Sequence, residues 1–170
     1  MVVAIFERMH YNVRNYSQKG KIIMVFSVRP AQVEDSAAVA AMAGCIWHSA
    51  TLEQLQSEFL EMTGSAEAAI FLACDEKCIC GFAQCSLRHD YVEGTHSSPV
   101  GYLEGIYVTP EYRRQGCAGA LLAACEGWAK EQNCTEFASD CELANAESLH
   151  FHLNLGFQET NRIICFSKKL

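Results

Sequence analysis

Residues 113–119, RRQGCAG, follow a turn at Pro110 and open a helix-forming run of small and apolar residues. Gly116, Ala118 and Gly119 keep bulk away from the backbone. The first N–H groups of such a helix lack intrahelical partners and point outward. The helix dipole adds favourable potential there, and Arg113 and Arg114 strengthen it. The combination describes an anion site of pyrophosphate size. There is no GxxxxGK[ST] and no GxGxxG in the chain, which excludes a P-loop and a dinucleotide fingerprint. The plain alternative is a glycine-rich turn with solvated arginines; the agreement of strand, cations and small residues favours the anion. A few residues upstream, GYLEGIYV (101–108) reads as an apolar strand with Glu104 in its middle. A carboxylate in that setting is costly unless it is paired or put to use. An ion pair with an arginine is one outcome, a functional group the other.

These groups need elements to hold them. Ile22–Val28 reads as a strand ended by Arg29-Pro30. Asp35 or Ser36 caps a helix reaching Trp47, and Thr51 caps a second helix, Leu52–Met62, closed by Gly64. Ala68–Cys74 and Cys78–Leu87 form a hairpin across Asp75-Glu76-Lys77. A polar segment, Arg88–Pro99, precedes the strand Val100–Val108. Then come a helix over Ala118–Gln132, a strand over Thr135–Ser139, a helix over Ala146–Leu155 and a last strand over Arg162–Lys168. Strands that meander first and alternate with helices later predict an α/β protein, one domain around a mixed sheet.

Composition narrows the function. The chain has 170 residues, half of them hydrophobic, enough for one core. No apolar run is long enough to cross a membrane, and the first residues do not read as a signal peptide. Residues 1–21 are expected to be an added strand, a partner-binding arm or a loose extension, with the domain spanning 22–170. Residues 1–30 carry five basic side chains and one acid, which leaves 8 basic and 19 acidic residues beyond them. That acidity disfavours nucleic acid and attracts cations. The ten cysteines include no CxxC pair and no zinc-like spacing, so no metal is expected, and they read as small buried hydrophobes in a reducing, cytoplasmic setting.

The run Arg113-x-x-Gly116-x-Ala118 resembles the acetyl-CoA pyrophosphate loop of the GNAT superfamily of N-acetyltransferases. FHLNLGF (151–157), preceded by Asn145-Ala146, resembles that family's second coenzyme-binding helix. Residues 90–116, EFASD (136–140) and the ending from Glu159 are similar to aminoglycoside 6′-N-acetyltransferases of the antibiotic-resistance type. The resemblance implies the GNAT fold over residues 22–170, with acetyl-CoA lying where the central parallel strands Leu103–Val108 and Thr135–Ser139 splay apart. It implies acetyl transfer from the thioester to an aminoglycoside 6′-amine by direct attack in a ternary complex. Another polyamine, a protein amine, or a non-catalytic acetyl-CoA sensor are the alternatives.

The resemblance also distributes roles. Aminoglycoside amines are mostly protonated at neutral pH, so a carboxylate must bind the cation and accept a proton. Glu104 matches the strand carboxylate given this duty; Asp140 is the rival base and binds substrate amines, with an N-cap role for the next helix as its alternative. Backbone of Ile106, Tyr107 and Val108 would hold the acetyl and pantetheine end. Arg114, Gln115, Gly116, Cys117, Ala118 and Gly119, with Arg113, would contact the pyrophosphate, and Asn145 the coenzyme near the second motif. Trp47 and Tyr91 match pocket-lining aromatics whose flat rings suit sugar faces and ammonium groups; core packing is the alternative for Trp47. The family often has Tyr where this chain has His152, so either His152 or solvent protonates the departing thiolate. Cys117 matches a small loop residue rather than a nucleophile. Asn161 stands where some relatives carry an acid. Relatives are often homodimers, and the last strand can pair or exchange with a partner's sheet.

Overall fold

The computed structural model describes residues 11–13, 26–76 and 78–170. The strands are β1 (Tyr11–Val13), β2 (Phe26–Pro30), β3 (Ala68–Cys74), β4 (Ile79–Arg88), β5 (Val100–Val108) and β6 (Phe137–Ser139). The helices are α1 (Ser36–Ala43), α2 (Leu52–Met62), α3 (Cys117–Glu131) and α4 (Ala146–Asn154). The strands lie side by side in chain order in one six-stranded sheet. Every pairing is antiparallel except β5 with β6, which is parallel and crosses over through α3.

The sheet is covered on both faces. On one, Trp128, Leu121 and Cys125 of α3 pack on Phe26, Phe71, Cys85 and Leu103. On the other, Val39 of α1 and Phe59 of α2 pack on Leu72 and Phe82. Thr51 caps α2 as expected, through a box in which its hydroxyl accepts from Gln54 N and the Gln54 side chain accepts from Thr51 N. Five cysteines, at 80, 85, 117, 125 and 134, are buried as small hydrophobes; Cys45, Cys78, Cys141 and Cys165 are exposed, against expectation.

Other expectations need correction. The first strand runs on through Pro30, which pairs opposite Phe71; residues 22–25 lie outside the described residues. Asp35 does not cap α1, because its carboxylate takes both arms of Arg29 at 2.7 and 2.8 Å and also the Gln32 N–H. Helix α1 stops at Ala43, and Trp47 lies beyond it on a turn whose N–H returns to the Ala43 carbonyl. Strand β6 begins at Phe137; the Glu136 carbonyl still accepts from Gly101 N at 3.1 Å, while its side chain accepts from His96 N, Ser97 N and Ser97 Oγ. Most of residues 1–21 lie outside the described residues, but Tyr11–Val13 is an added edge strand on β2.

The last predicted strand, Arg162–Lys168, does not form. A strand exists only where its backbone groups find a ladder partner, and this segment has none among the described residues. Ile163, Ile164 and Phe166 are left 65, 80 and 92% exposed.

Candidate active site

Strands β5 and β6 are paired only from Gly101 to Leu103 against Phe137 to Ser139. Strand β5 then continues to Val108 with no strand on that side among the described residues. The expected splay is therefore present, and it opens at Glu104. The register with β4 explains why. Cys85 faces Leu103 and Gln84 faces Gly105, so Glu104 is an extra residue in a bulge. A bulge re-aims side chains. Leu103 packs in the α3-side core, and the next residues to do so are Ile106 and Val108, three and five positions on. Without the bulge, alternation would place Gly105 there.

The far end of the gap is the anion site. Gly116 precedes α3 at φ +88°, a conformation that favours glycine. No side chain caps this helix and no acid lies in its first turn. The first helical bond is Ala120 N to Gly116 O, at 3.0 Å, which leaves the Cys117, Ala118 and Gly119 N–H groups outside the ladder. Arg113, Arg114 and Gln115 are exposed around it. Arg113 Nε donates to the Val108 carbonyl at 3.0 Å, so that side chain buttresses the β5 end as well. Gln115 donates to the Glu111 carbonyl at 2.7 Å. These residues fit a pyrophosphate. Cys117 is buried, and burial pushes its thiol up to about 11, which disqualifies it as a nucleophile.

At the mouth of the gap, Glu104 is in an ion pair. Ser86 Oγ donates to Oε1 at 2.5 Å. Arg88 donates to the same oxygen from Nε at 3.3 Å and Nη2 at 3.2 Å, and to Oε2 from Nη2 at 2.9 Å. The Arg88 guanidinium also lies 3.3 Å from the Tyr102 ring centroid. Burial works to lower the Arg88 pKa, but the Glu104 bonds and charge outweigh it and the net shift is upward. Burial first, and the Asp140 charge second, push the Tyr102 phenol up to about 12, against the pull of Arg88. Glu104, Arg88, Tyr102 and Asp140 thus form one electrostatic group.

Asp140 is exposed just past β6. It does not cap the next helix, because Asn145 Oδ1 does so, accepting from Ser148 N at 3.0 Å. Asn145 therefore already has a structural task. On α4, His152 Nδ1 donates to the Ser148 carbonyl at 2.7 Å, and Nε2 meets Ser139 Oγ at 3.0 Å. Ser139 Oγ is 3.1 Å from the Leu103 carbonyl, at the point where the strands part. Trp47 stands over Gly105, where an added Cβ would come within 2.6 Å of its ring. It is half-buried and edge-on to Phe82, so the packing alternative holds for this residue, with its ring over Gly105 of β5. Tyr91 is not brought to the carboxylates: its ring is 81% exposed and its hydroxyl donates to Glu93 Oε2 at 2.7 Å. Asn161 donates to the other Glu93 oxygen at 3.1 Å, so an acid does stand beside the asparagine. A groove of about 320 Å³ lies along the outer edge of β6, lined by Glu93, Phe137, Ser139, Phe157 and Thr160, away from Glu104.

Sequence reasoning missed Ser86, Arg88 and Ser139. The first two had a partial signal: at positions 86 and 88 of a strand they share one face, although their pairing with the Glu104 strand follows only from the fold. Ser139 had none beyond its place beside Asp140.

The chain matches the model of the acetyltransferase (GNAT) family over residues 37–157. It is 40% identical over 146 residues to aminoglycoside N(6′)-acetyltransferase type 1 of Stenotrophomonas maltophilia, covering 85% of this chain and 94% of that protein. The protein of the same name from Serratia marcescens is 41% identical over 131 residues, covering 76% and 90%. Among solved structures, AAC(6′)-Iy in complex with the bisubstrate analog CoA-S-monomethyl-acetylneamine superposes with a TM-score of 0.81 at 34% identity, over 85% of this chain and 99% of that one. AAC(6′)-Ih from Acinetobacter baumannii does so with 0.80 at 38%, over 85% and 99%. With its splayed parallel strands and uncapped glycine-led helix, the chain belongs to the GNAT acetyltransferase family and, within it, to the aminoglycoside 6′-N-acetyltransferases.

Proposed function

We propose that this protein transfers the acetyl group of acetyl-CoA to the 6′-amine of aminoglycosides in a ternary complex and so confers resistance to them. The observation that carries the reading is the gap itself: it runs from an anion site at α3 to a carboxylate pair, Glu104 and Asp140, at its mouth. Acetyl-CoA supplies an activated acyl group. The N–H groups of Cys117, Ala118 and Gly119, with Arg114, hold its pyrophosphate. The unpaired β5 edge at Ile106, Tyr107 and Val108 holds the pantetheine end and offers an N–H to the carbonyl oxygen. Glu104 and Asp140 bind the ammonium, and one of them takes its proton. His152, whose Nε2 meets Ser139 Oγ at 3.0 Å, stands on the leaving-group side, where it or solvent returns a proton to the thiolate. Trp47 walls the sugar pocket, with Tyr91 on the adjoining loop.

The catalytic unit is residues 22–170, and ten unpaired cysteines fit a cytoplasmic enzyme. Its partner is a second copy of itself. The exposed apolar tail around Ile163–Phe166 and the groove on the outer edge of β6 support an exchanged strand at the dimer interface. Light scattering on a chain lacking residues 162–170 checks this: a dimer that survives the deletion refutes it.

Release of free coenzyme A thiol with kanamycin or tobramycin, against a 6′-hydroxyl aminoglycoside, tests the activity. Turnover is expected with the amine-bearing drugs alone. No turnover with either refutes the assignment.

A further inference from the structure

A guanidinium already occupies the place that an acceptor ammonium needs. Both oxygens of Glu104 accept from Arg88, and Oε1 also from Ser86. The same guanidinium lies on the Tyr102 ring and within the field of Asp140. Substrate cation and Arg88 therefore compete for the Glu104 carboxylate and one aromatic face, with the Asp140 charge nearby. Arg88 is free to give way. It is the last residue of β4, held in the ladder by its backbone opposite Val100 and followed by the polar loop from His89. Its side chain is 41% exposed, against 26% for Glu104. Ser86 is held within β4, so its hydroxyl keeps Glu104 Oε1 in place when the guanidinium leaves.

We infer that Arg88 is a resident counterion of the acceptor site, exchanged for the 6′-ammonium when an aminoglycoside binds. The inference rests on the acceptor assignment made above. In the free enzyme Arg88 balances Glu104; on binding it swings toward solvent and the substrate takes over its contacts. The exchange is selective. A ligand with a hydroxyl in place of the amine has no charge with which to displace Arg88.

The sign of one measurement decides. Calorimetric dissociation constants are taken for kanamycin and for paromomycin, which carries a 6′-hydroxyl, with wild type, Arg88→Gln and Arg88→Lys. Removing the competitor in Arg88→Gln is expected to tighten kanamycin about tenfold, while paromomycin stays within about twofold and Arg88→Lys stays near wild type. Weaker kanamycin binding in Arg88→Gln overturns the inference and makes Arg88 a positioning residue. Equal tightening of both drugs overturns it too, because the gain is then general to cations. Arg88→Ala repeats the test should the glutamine variant fold poorly. Wild-type protein that binds neither drug refutes the acceptor assignment instead. Spermidine then serves as the cationic probe, and Arg88→Gln that leaves spermidine binding unchanged overturns the exchange itself.

Discussion

Gly105→Ala should uncouple the acceptor wall from the coenzyme site. The new methyl would lie 2.6 Å from Trp47 Cζ2, 2.9 Å from Cη2 and 3.0 Å from Ile46 Cδ1. The ring has little room to retreat, since it already packs edge-on to Phe82 at 6.1 Å. Overpacking of this kind costs about 1–3 kcal/mol. For a domain of this size each kcal/mol lowers Tm by about 2–4 °C, so a drop of roughly 2–12 °C is expected in a thermal melt. The close contacts under 3.0 Å are with the Trp47 ring, and the Ile46 contact is with the flexible end of its side chain, so most of the clash should go when the ring is removed. In a Trp47→Ala background, Gly105→Ala should cost less than about 0.5 kcal/mol, the scatter seen for independent sites. In steady-state kinetics the single variant should raise KM for the aminoglycoside and leave KM for acetyl-CoA unchanged. If Gly105→Ala destabilises both backgrounds equally, Trp47 is not what Gly105 accommodates, and the wall has been wrongly built.

Glu104→Gln and Asp140→Asn should each lower kcat/KM for the aminoglycoside, the variant that removes the base by about 10²–10⁴-fold; unchanged kinetics in both would leave the carboxylate chemistry unsupported. Gly116→Ala places a Cβ at a φ of +88°, should destabilise by about 1 kcal/mol, and should raise KM for acetyl-CoA but not for the drug. The Asp35 carboxyl is held below its usual range by its Arg29 bonds, against the opposing effect of burial. A depressed folded-state pKa adds stability above the unfolded carboxyl pKa of about 3.9, and that stability is lost as pH falls through the lower folded value. Urea melts should therefore show wild type more stable than Asp35→Asn by about 1–3 kcal/mol at pH 7, with the difference shrinking below about pH 4; a constant difference would refute the linkage.

The coenzyme half of the site is legible in the sequence because its chemistry is local. A strand, a turn and a small-residue helix start are contiguous from Val100 to Gly119, and the proposed contacts there are backbone N–H groups. The acceptor half is assembled from distant segments. Glu104 was anomalous in sequence, yet its partners Ser86 and Arg88 lie across a bulged ladder whose register no local pattern reveals. Competition among side chains explains the smaller misses. Asp35 reads as a cap until Arg29 claims it, and the Glu136 side chain ties the 96–97 backbone to the start of β6, a contact no local pattern signals. The last strand failed for a different reason: its residues have the right types, but no neighbouring strand pairs with it among the described residues.

The bulge at Glu104 divides the enzyme into two parts that can change at different rates. Beyond it, the proposed coenzyme contacts of β5 and α3 are main-chain groups, which tolerate few rearrangements but also depend on few side chains. Before it, the proposed acceptor wall rests on Trp47 in the turn after α1, with the loop 89–99 following Arg88, both of them surface connections. Drug spectrum can therefore drift through loop substitutions while acetyl-CoA affinity stays constant. Resistance to a redesigned antibiotic is then a short mutational step for this fold, and an inhibitor aimed at the main-chain half would be harder to escape.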